Sequence, residues 1–175
     1  MGLQLIFAVE TNQKCRSDWI YIKETIEYFY QYDRSHIKLS VVYMDSKDNY
    51  VQSKIKKKID MMTKQYQSMN VRNRTEIIYC FDCDDFDIKP EDKKFLDKAR
   101  QFCEDHNAHF LWFCKDIESV YIGRKISKNK KKAEAENFKR KRMIRKINQS
   151  NLISDNYRIN HSNIFNVLDK FMKRY

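Results

Sequence analysis

Glycine and proline are almost missing from this chain, which contains two glycines and one proline among 175 residues. The Walker A loop and the Gly-rich turn of dinucleotide-binding folds both need glycines at fixed spacing, so the composition excludes both. Sandwiches and barrels built only from strands depend on many glycine and proline turns, which argues against an all-β fold. Any phosphate chemistry in this chain must therefore rest on side chains, with carboxylate-held metal as the main option.

Long hydrophobic runs are also missing, since no stretch approaches the roughly 18 apolar residues that cross a bilayer. The segment Met1–Ile6 has neither the basic start nor the extended apolar core of a signal peptide. The five cysteines are odd in number and mostly lie in apolar surroundings, which is typical of reduced, buried thiols. Cys80 and Cys83 form a C-x-x-C pair, but the second ligand pair of a zinc site is missing. We expect a cytoplasmic protein with no membrane partner.

Positive charge is abundant and concentrated in one segment. The chain carries a formal net charge of +11, and residues 124–146 contain twelve Lys and Arg against two Glu. This segment therefore accounts for nearly the whole imbalance, which favours a polyanionic partner over a merely solvated helix face. Few apolar residues are available there for insertion into an acidic membrane, so we predict DNA or RNA as the partner. The residues predicted to contact phosphates are Lys130, Lys131, Lys132, Lys139, Arg140, Lys141, Arg142, Arg145 and Lys146.

Apolar runs alternate with helical patterns along the chain. The runs that predict strands are residues 3–9, 36–44, 76–81 and 109–113. The helical patterns between them are residues 19–30, 51–69 and 91–103. This alternation predicts an α/β fold with a mainly parallel four-stranded sheet flanked by helices. We predict one domain over residues 1–123, and a basic helical extension over residues 124–175 that packs on it, with a helix at 130–148 and a last helix capped by Ser162.

Acidic residues follow the predicted strands at the point where each strand ends. Glu10 comes directly after the first strand, and Asp82, Asp84 and Asp85 come at the end of the third. Ligands of open α/β sheets bind beyond the carboxyl ends of the strands, so these carboxylates converge if the two strands are neighbours. Packed carboxylates repel one another, and a hard divalent cation such as Mg²⁺ or Mn²⁺ relieves that repulsion. The alternative is that these acids only terminate strands and cap helices.

This pattern carries a family resemblance. Val9-Glu10 after the first strand, followed by Phe81-Asp82-Cys83-Asp84-Asp85 at the end of the third, resembles a Toprim domain. That family has a Glu after strand one and an Asp-x-Asp after strand three, and it occurs in topoisomerases, primases and overcoming-lysogenization-defect (OLD) nucleases. The small size of this chain, with Glu118 after the fourth strand, resembles the RloB or abortive-infection type. Thr11 stands where the family commonly has Gly.

The resemblance implies a Mg²⁺-dependent nuclease that cleaves phosphodiester bonds of DNA or RNA. Glu10 would be a metal ligand or general acid/base, and Asp82 and Asp84 metal ligands, with Asp85 and Glu118 as further ligands. A role in anti-phage defence, with a larger defence-system protein as a partner, also follows only from the resemblance.

The loop after Glu10 contains two cations, Lys14 and Arg16, that we expect to contact phosphate.

Two other functions remain open. One alternative is a module that binds nucleic acid or a partner without catalysis, in which the Toprim site is degenerate. Another is an enzyme or sensor for a small nucleotide.

Overall fold

Seven strands and six helices make up the structure, a computed structural model that describes all residues 1–175. The strands are β1 (Leu3–Val9), β2 (Tyr30–Gln31), β3 (Ile37–Tyr43), β4 (Arg74–Asp82), β5 (His109–Cys114), β6 (His161–Ser162) and β7 (Lys173–Arg174). The helices are α1 (Ser17–Phe29), α2 (Ser53–Met69), α3 (Pro90–Asp105), α4 (Ile117–Ile122), α5 (Lys131–Arg140) and α6 (Ile164–Leu168). None of these helices is both long enough and apolar enough to span a membrane.

The main sheet has the strand order β3-β1-β4-β5-β6, in which the first four strands are parallel and β6 is antiparallel to β5. The predicted α/β fold with a mainly parallel sheet is thus confirmed, but the sheet has five strands where four were expected. The added strand, β6, is only two residues long, which is too short to leave a periodic pattern in the sequence. It is held partly by the Ser162 hydroxyl, which donates to the Trp112 carbonyl at 2.7 Å.

The sheet divides the interior into two hydrophobic clusters because successive side chains of a strand point to opposite faces. On one face, Leu5, Phe7 and Val9 of β1 pack in a cluster with buried residues of α1, α4, α5 and α6. On the other face, Ile6 and Ala8 pack with buried residues of α2 and α3. β1 lies between β3 and β4 and is covered on both faces, so all of its residues are buried, including Gln4, whose side chain is hydrogen-bonded to Ser40 and Thr75.

Residues beyond 124 contribute directly to the first cluster. Ala135 and Phe138 of α5 are buried there, as are Ile144 and Leu152 from the turns that follow. The predicted helix over residues 130–148 is wrong at its C-terminal end, because α5 stops at Arg140 and Arg142 adopts a left-handed conformation with φ 50°. That reversal carries the chain into a 3₁₀ turn over Met143–Lys146 and leaves Ile144 buried.

The last predicted helix is present but short, since α6 covers only residues 164–168. Ser162 belongs to β6, although its hydroxyl still accepts a hydrogen bond from the Ile164 amide at 3.1 Å. The chain then turns, and β7 pairs antiparallel with β2 at the end of α1. The last residues of the chain therefore pack beside the C-terminal end of α1.

Candidate functional site

Two acidic residues end neighbouring parallel strands and meet at one edge of the sheet. Glu10 directly follows β1, and Asp82 is the last residue of β4, which pairs with β1. The Asp82 amide donates a hydrogen bond to Glu10 Oε1 at 2.8 Å, and the Ile117 amide donates one to Asp82 Oδ1 at 2.9 Å. One oxygen of each carboxylate is thus fixed by backbone. The second oxygen of each accepts no hydrogen bond from the protein, and both residues line the same cleft.

A third carboxylate, Asp18, lies beside this pair in the first turn of α1. Its Oδ2 accepts a hydrogen bond from the Thr11 amide at 3.0 Å, while its Oδ1 is buried without a hydrogen-bond partner. This contact fixes the loop that follows Glu10. Thr11 does not take a positive φ, so the backbone at this position does not require the glycine that Toprim domains commonly have there.

Glu118 of α4 is the fourth carboxylate of the site, and its side chain is fully buried. The ammonium of Lys131 lies 3.0 Å from Glu118 Oε2, but no hydrogen bond of standard geometry reaches either oxygen. Lys131 begins α5, so the helix that opens the basic extension supplies the cation next to the strand-end acids. We call Glu10, Asp18, Asp82 and Glu118 the carboxylate cluster.

The carboxylate cluster is electrostatically strained, as its pKa values indicate. Burial raises the pKa of Glu10 well above its usual range, and the nearby charge of Asp18 raises it further. Burial does the same to the pKa of Asp82, with Glu10 as the next cause. Burial also raises the pKa of Glu118 to about 7, although Lys131 opposes that shift. These groups hold protons near neutral pH more readily than exposed acids do.

Asp84 and Asp85 are directed elsewhere. Asp84 adopts a left-handed conformation with φ 48°, and its Oδ2 lies 2.5 Å from the Lys47 ammonium. Asp85 pairs with the ammonium groups of Lys89 at 2.9 Å and Lys115 at 3.5 Å. Both aspartates line a separate, smaller cleft of about 280 Å³. Asp84 remains near enough for its charge to help raise the pKa of Glu10, so the two clefts are electrostatically linked.

The cleft over Glu10 and Asp82 has a volume of about 850 Å³ and walls rich in lysine. Of the residues predicted to contact phosphate, Lys14, Lys131 and Lys132 line it, whereas the predicted residues in the sequence from 139 to 146 are exposed away from it. Arg16 is exposed at the start of α1 and does not line the cleft. Six cations border the cleft in all, namely Lys14, Lys47, Lys125, Lys128, Lys131 and Lys132.

The oxygen atoms of the carboxylate cluster are potential ligands of a metal ion. No group of three His, Cys, Asp or Glu side chains is arranged as a metal-binding set in the structure. The chemistry of the oxygens nevertheless suits a hard divalent cation, since one Asp18 oxygen and both Glu118 oxygens are buried without hydrogen-bond partners. Glu10 and Asp82 each keep one oxygen free at the floor of the cleft. Glu10 and Asp82 are therefore the residues that would hold Mg²⁺ or Mn²⁺.

Only one cysteine, Cys15, lies at this site. Cys80, Cys83, Cys103 and Cys114 are buried free thiols, and burial raises the pKa of Cys103 to about 12. Cys15 is partly exposed in the loop after Glu10 and lines the large cleft. The expectation of buried thiols holds for four of the five.

Three site residues escaped sequence reasoning in their observed role: Asp18, Lys47 and Lys131. Asp18 had a signal, a charged residue at the start of a helix directly after the Glu10 loop, but helix capping explained it equally well. Lys131 was indistinguishable from its neighbours within the basic segment.

Comparison of the chain with family models, curated proteins and solved structures found no match in any of the three.

Proposed function

We propose that this protein is a metal-dependent enzyme that cleaves phosphodiester bonds of nucleic acid at a Toprim-like site. The observation that carries the proposal is the pair Glu10 and Asp82, oriented by backbone amides at the ends of neighbouring strands, on the floor of a cleft walled by lysines. Carboxylates that hold a metal beside cations that hold phosphate form a combination that supports phosphodiester hydrolysis.

Each residue has a role that follows from its position. Glu10 and Asp82 would hold Mg²⁺ or Mn²⁺, which supplies Lewis-acid stabilisation of the phosphate charge and a more acidic bound water. Asp84 would join them when its ion pair with Lys47 opens, and Glu118 would support the site from behind. Alternatively, Glu10 would act as the general acid/base, a role for which burial prepares it by raising its pKa, and Asp82 would then hold the metal together with Asp84. The lysines of the cleft wall would orient the phosphates.

The exposed part of the basic extension would extend the contact with substrate. Residues 139–146 carry exposed Lys and Arg side chains that would hold the phosphate backbone without reading its sequence. Anti-phage defence and a larger defence-system partner remain part of the proposal, and they rest on the resemblance to RloB-type proteins alone.

The experiment is a cleavage assay on end-labelled single- and double-stranded DNA and RNA with Mg²⁺, with Mn²⁺ and with EDTA. Glu10→Gln/Asp82→Asn should lose at least about 100-fold in rate, because both groups act on the transferring phosphate. Asp60→Asn, which changes an exposed carboxylate on α2, is the control and should retain full rate. Metal-independent cleavage, or equal rates for the two variants, would contradict the proposal.

A second candidate, a nucleic-acid or partner-binding module without catalysis, is favoured by one observation. Lysine ammonium groups already lie against the acids, with Lys47 on Asp84 and Lys131 on Glu118. Such pairing can neutralise the carboxylates without a metal. This candidate predicts salt-sensitive binding, no cleavage with any divalent metal, and no rise in melting temperature on adding Mg²⁺. The nuclease predicts a rise that Glu10→Gln/Asp82→Asn abolishes.

A further inference from the structure

A second groove lies along β3, the edge strand of the main sheet, on the face that carries α1. Successive residues on that face, Ile37, Leu39, Val41 and Tyr43, are only half buried, whereas the corresponding residues of β1 are fully buried. The incomplete cover leaves a groove of about 530 Å³. The floor of the groove is apolar. The outer backbone edge of β3 pairs with no other strand.

Aromatic rings and cations share the lining of this groove. Trp19 of α1 and Tyr32 after β2 are half buried there. Lys38 of β3 and Tyr66 of α2 line the groove from the other side of the β3 edge, because the Lys38 side chain points to the face opposite Ile37 and Leu39. The Lys38 ammonium lies 5.4 Å from the centre of the Tyr66 ring, and the Arg34 guanidinium lies 6.0 Å from that of Tyr32. Rings interleaved with cations are the chemistry that binds unpaired bases and their phosphates.

The charge of the groove selects among possible occupants. Lys23, Arg34 and Lys38 line it against a single acid, Glu27, which is already paired with Arg34. A second copy of the chain would bring these cations against their own counterparts, which disfavours self-association. A polyanion is the complementary occupant, and the apolar floor favours one whose bases are unpaired and free to stack.

The groove also leads towards the cleft of the carboxylate cluster. β3 ends at Tyr43, and Asp45, Ser46 and Lys47 just beyond it line that cleft. Tyr43 is close enough to Asp18 for that charge to help raise its pKa, although burial is the larger cause. The strand from Ile37 to Tyr43 spans on the order of 20 Å, which is the length of a few nucleotides.

We infer that this groove, which we call the β3 groove, binds an unpaired nucleic-acid strand and guides it to the cleft. The inference rests on the proposed function, because it names single-stranded nucleic acid as the substrate of that site. Tyr32 stacks on a base, and Lys23 and Lys38 contact phosphates.

The test measures binding apart from cleavage. Fluorescence anisotropy is recorded with an oligothymidylate of about 16 nucleotides and with a duplex of equal length. The protein is the full chain carrying Glu10→Gln/Asp82→Asn, in EDTA, over roughly 50 to 200 mM salt. Lys23→Ala/Lys38→Ala should reduce the slope of log K against log salt by about 1.4, whereas Lys56→Ala/Lys58→Ala, an equal charge change on exposed α2 positions, should leave it unchanged.

A ring substitution provides the second arm. Tyr32→Leu should weaken binding of the unpaired strand by about fivefold or more, and Tyr175→Leu, at an exposed tyrosine outside the groove, should not. Thermal unfolding checks that each variant is folded. If Tyr32→Leu does not fold, the comparison of the two double-lysine variants still tests the inference. Equal behaviour of the two double-lysine variants, or a preference for duplex, would overturn the inference. Wild-type cleavage that survives such a result would leave the proposed function standing, while groove-dependent binding without any cleavage would overturn only the proposed function.

Discussion

Replacing Glu118 with glutamine should make the folded protein less sensitive to rising pH. Glu118 is fully buried, and burial raises its pKa from an ordinary value of 4.5 to about 7. The folded state therefore keeps this carboxyl protonated at pH values where the unfolded chain has already lost the proton. Glutamine has the shape of the protonated acid but cannot ionise, so Glu118→Gln removes this titration, with the effect of its charge on Lys131 and Asp82, at nearly constant side-chain volume.

The direction and the size of the change in unfolding free energy follow from the difference in proton binding between the folded and unfolded states. Between pH 4.5 and 7 the folded state binds more protons than the unfolded state, so the free energy of unfolding falls as pH rises. The stabilising contribution is full below the unfolded pKa and is lost as pH passes through the folded pKa. At about 1.4 kcal/mol for each pKa unit, the wild type should lose about 3 kcal/mol from this group across that window. Glu118→Gln should not lose it.

The assay is urea unfolding of the full chain in EDTA at pH 4.5, 6 and 7.5, with the wild type and Glu118→Gln measured side by side. Glu136→Gln serves as the control, because Glu136 is exposed on α5 and its substitution removes the same formal charge. We expect the Glu118→Gln curve to lie increasingly above the wild-type curve as pH rises. The control should run parallel to the wild type.

A constant offset between wild type and Glu118→Gln at all three pH values would refute the reasoning. It would mean that Glu118 is ionised throughout the window and that the Lys131 ammonium compensates its burial completely. A larger offset at low pH would refute it with the opposite sign, because that result requires a folded-state pKa below 4.5.

Two further substitutions test the packing of the C-terminal part. Phe138→Ala should lower the free energy of unfolding by about 3 to 5 kcal/mol, because Phe138 is fully buried with its ring centre 5.1 Å from that of Tyr21; urea unfolding measures this, and a loss below 1 kcal/mol would contradict it. Asn163→Ala should cost about 1 to 3 kcal/mol, because its side chain bonds the Trp112 amide and the Phe110 carbonyl, both at 2.9 Å. Exposed Asn129→Ala is its control in the same measurement.

The parallel core of the fold was predictable because each of its strands contains a short stretch rich in apolar residues. Predicted residues 3–9 coincide with β1, and the run at 109–113 falls one residue short of the end of β5. Strand order was not predictable from the runs themselves. The sequence analysis assumed that the first and third predicted strands are neighbours in order to bring the acids together. The structure shows that these strands, β1 and β4, do pair.

The extension was less predictable because a helix-favouring composition does not record where a chain must turn. Residues 130–148 contain no glycine or proline to mark the end of α5. The end is set instead by tertiary packing, which draws Ile144 into the cluster beside β1 through a left-handed Arg142. β2, β6 and β7 were missed because two-residue strands fall below any periodic window.

The site was predictable in its strand-end acids but not in their partners. Glu10 and Asp82 were identified from their positions after strands, and the structure brings them together. The pairing of Asp84 with Lys47 depends on the left-handed backbone at Asp84 and on a 3₁₀ turn that starts at Lys47. Sequence spacing contains neither piece of geometry.

The central position of β1 has a consequence for how the chain folds. β1 is the first strand to be made, yet its two partners are β3 and β4, which begin 34 and 71 residues after its first residue. Parallel pairing over such separations is slow, because a long loop must close before any contact forms. Until then the run Leu3–Val9 is an unpaired apolar segment without proline or charge, which is the kind of sequence that associates between chains. Recovery of refolded protein should therefore fall steeply as its concentration rises.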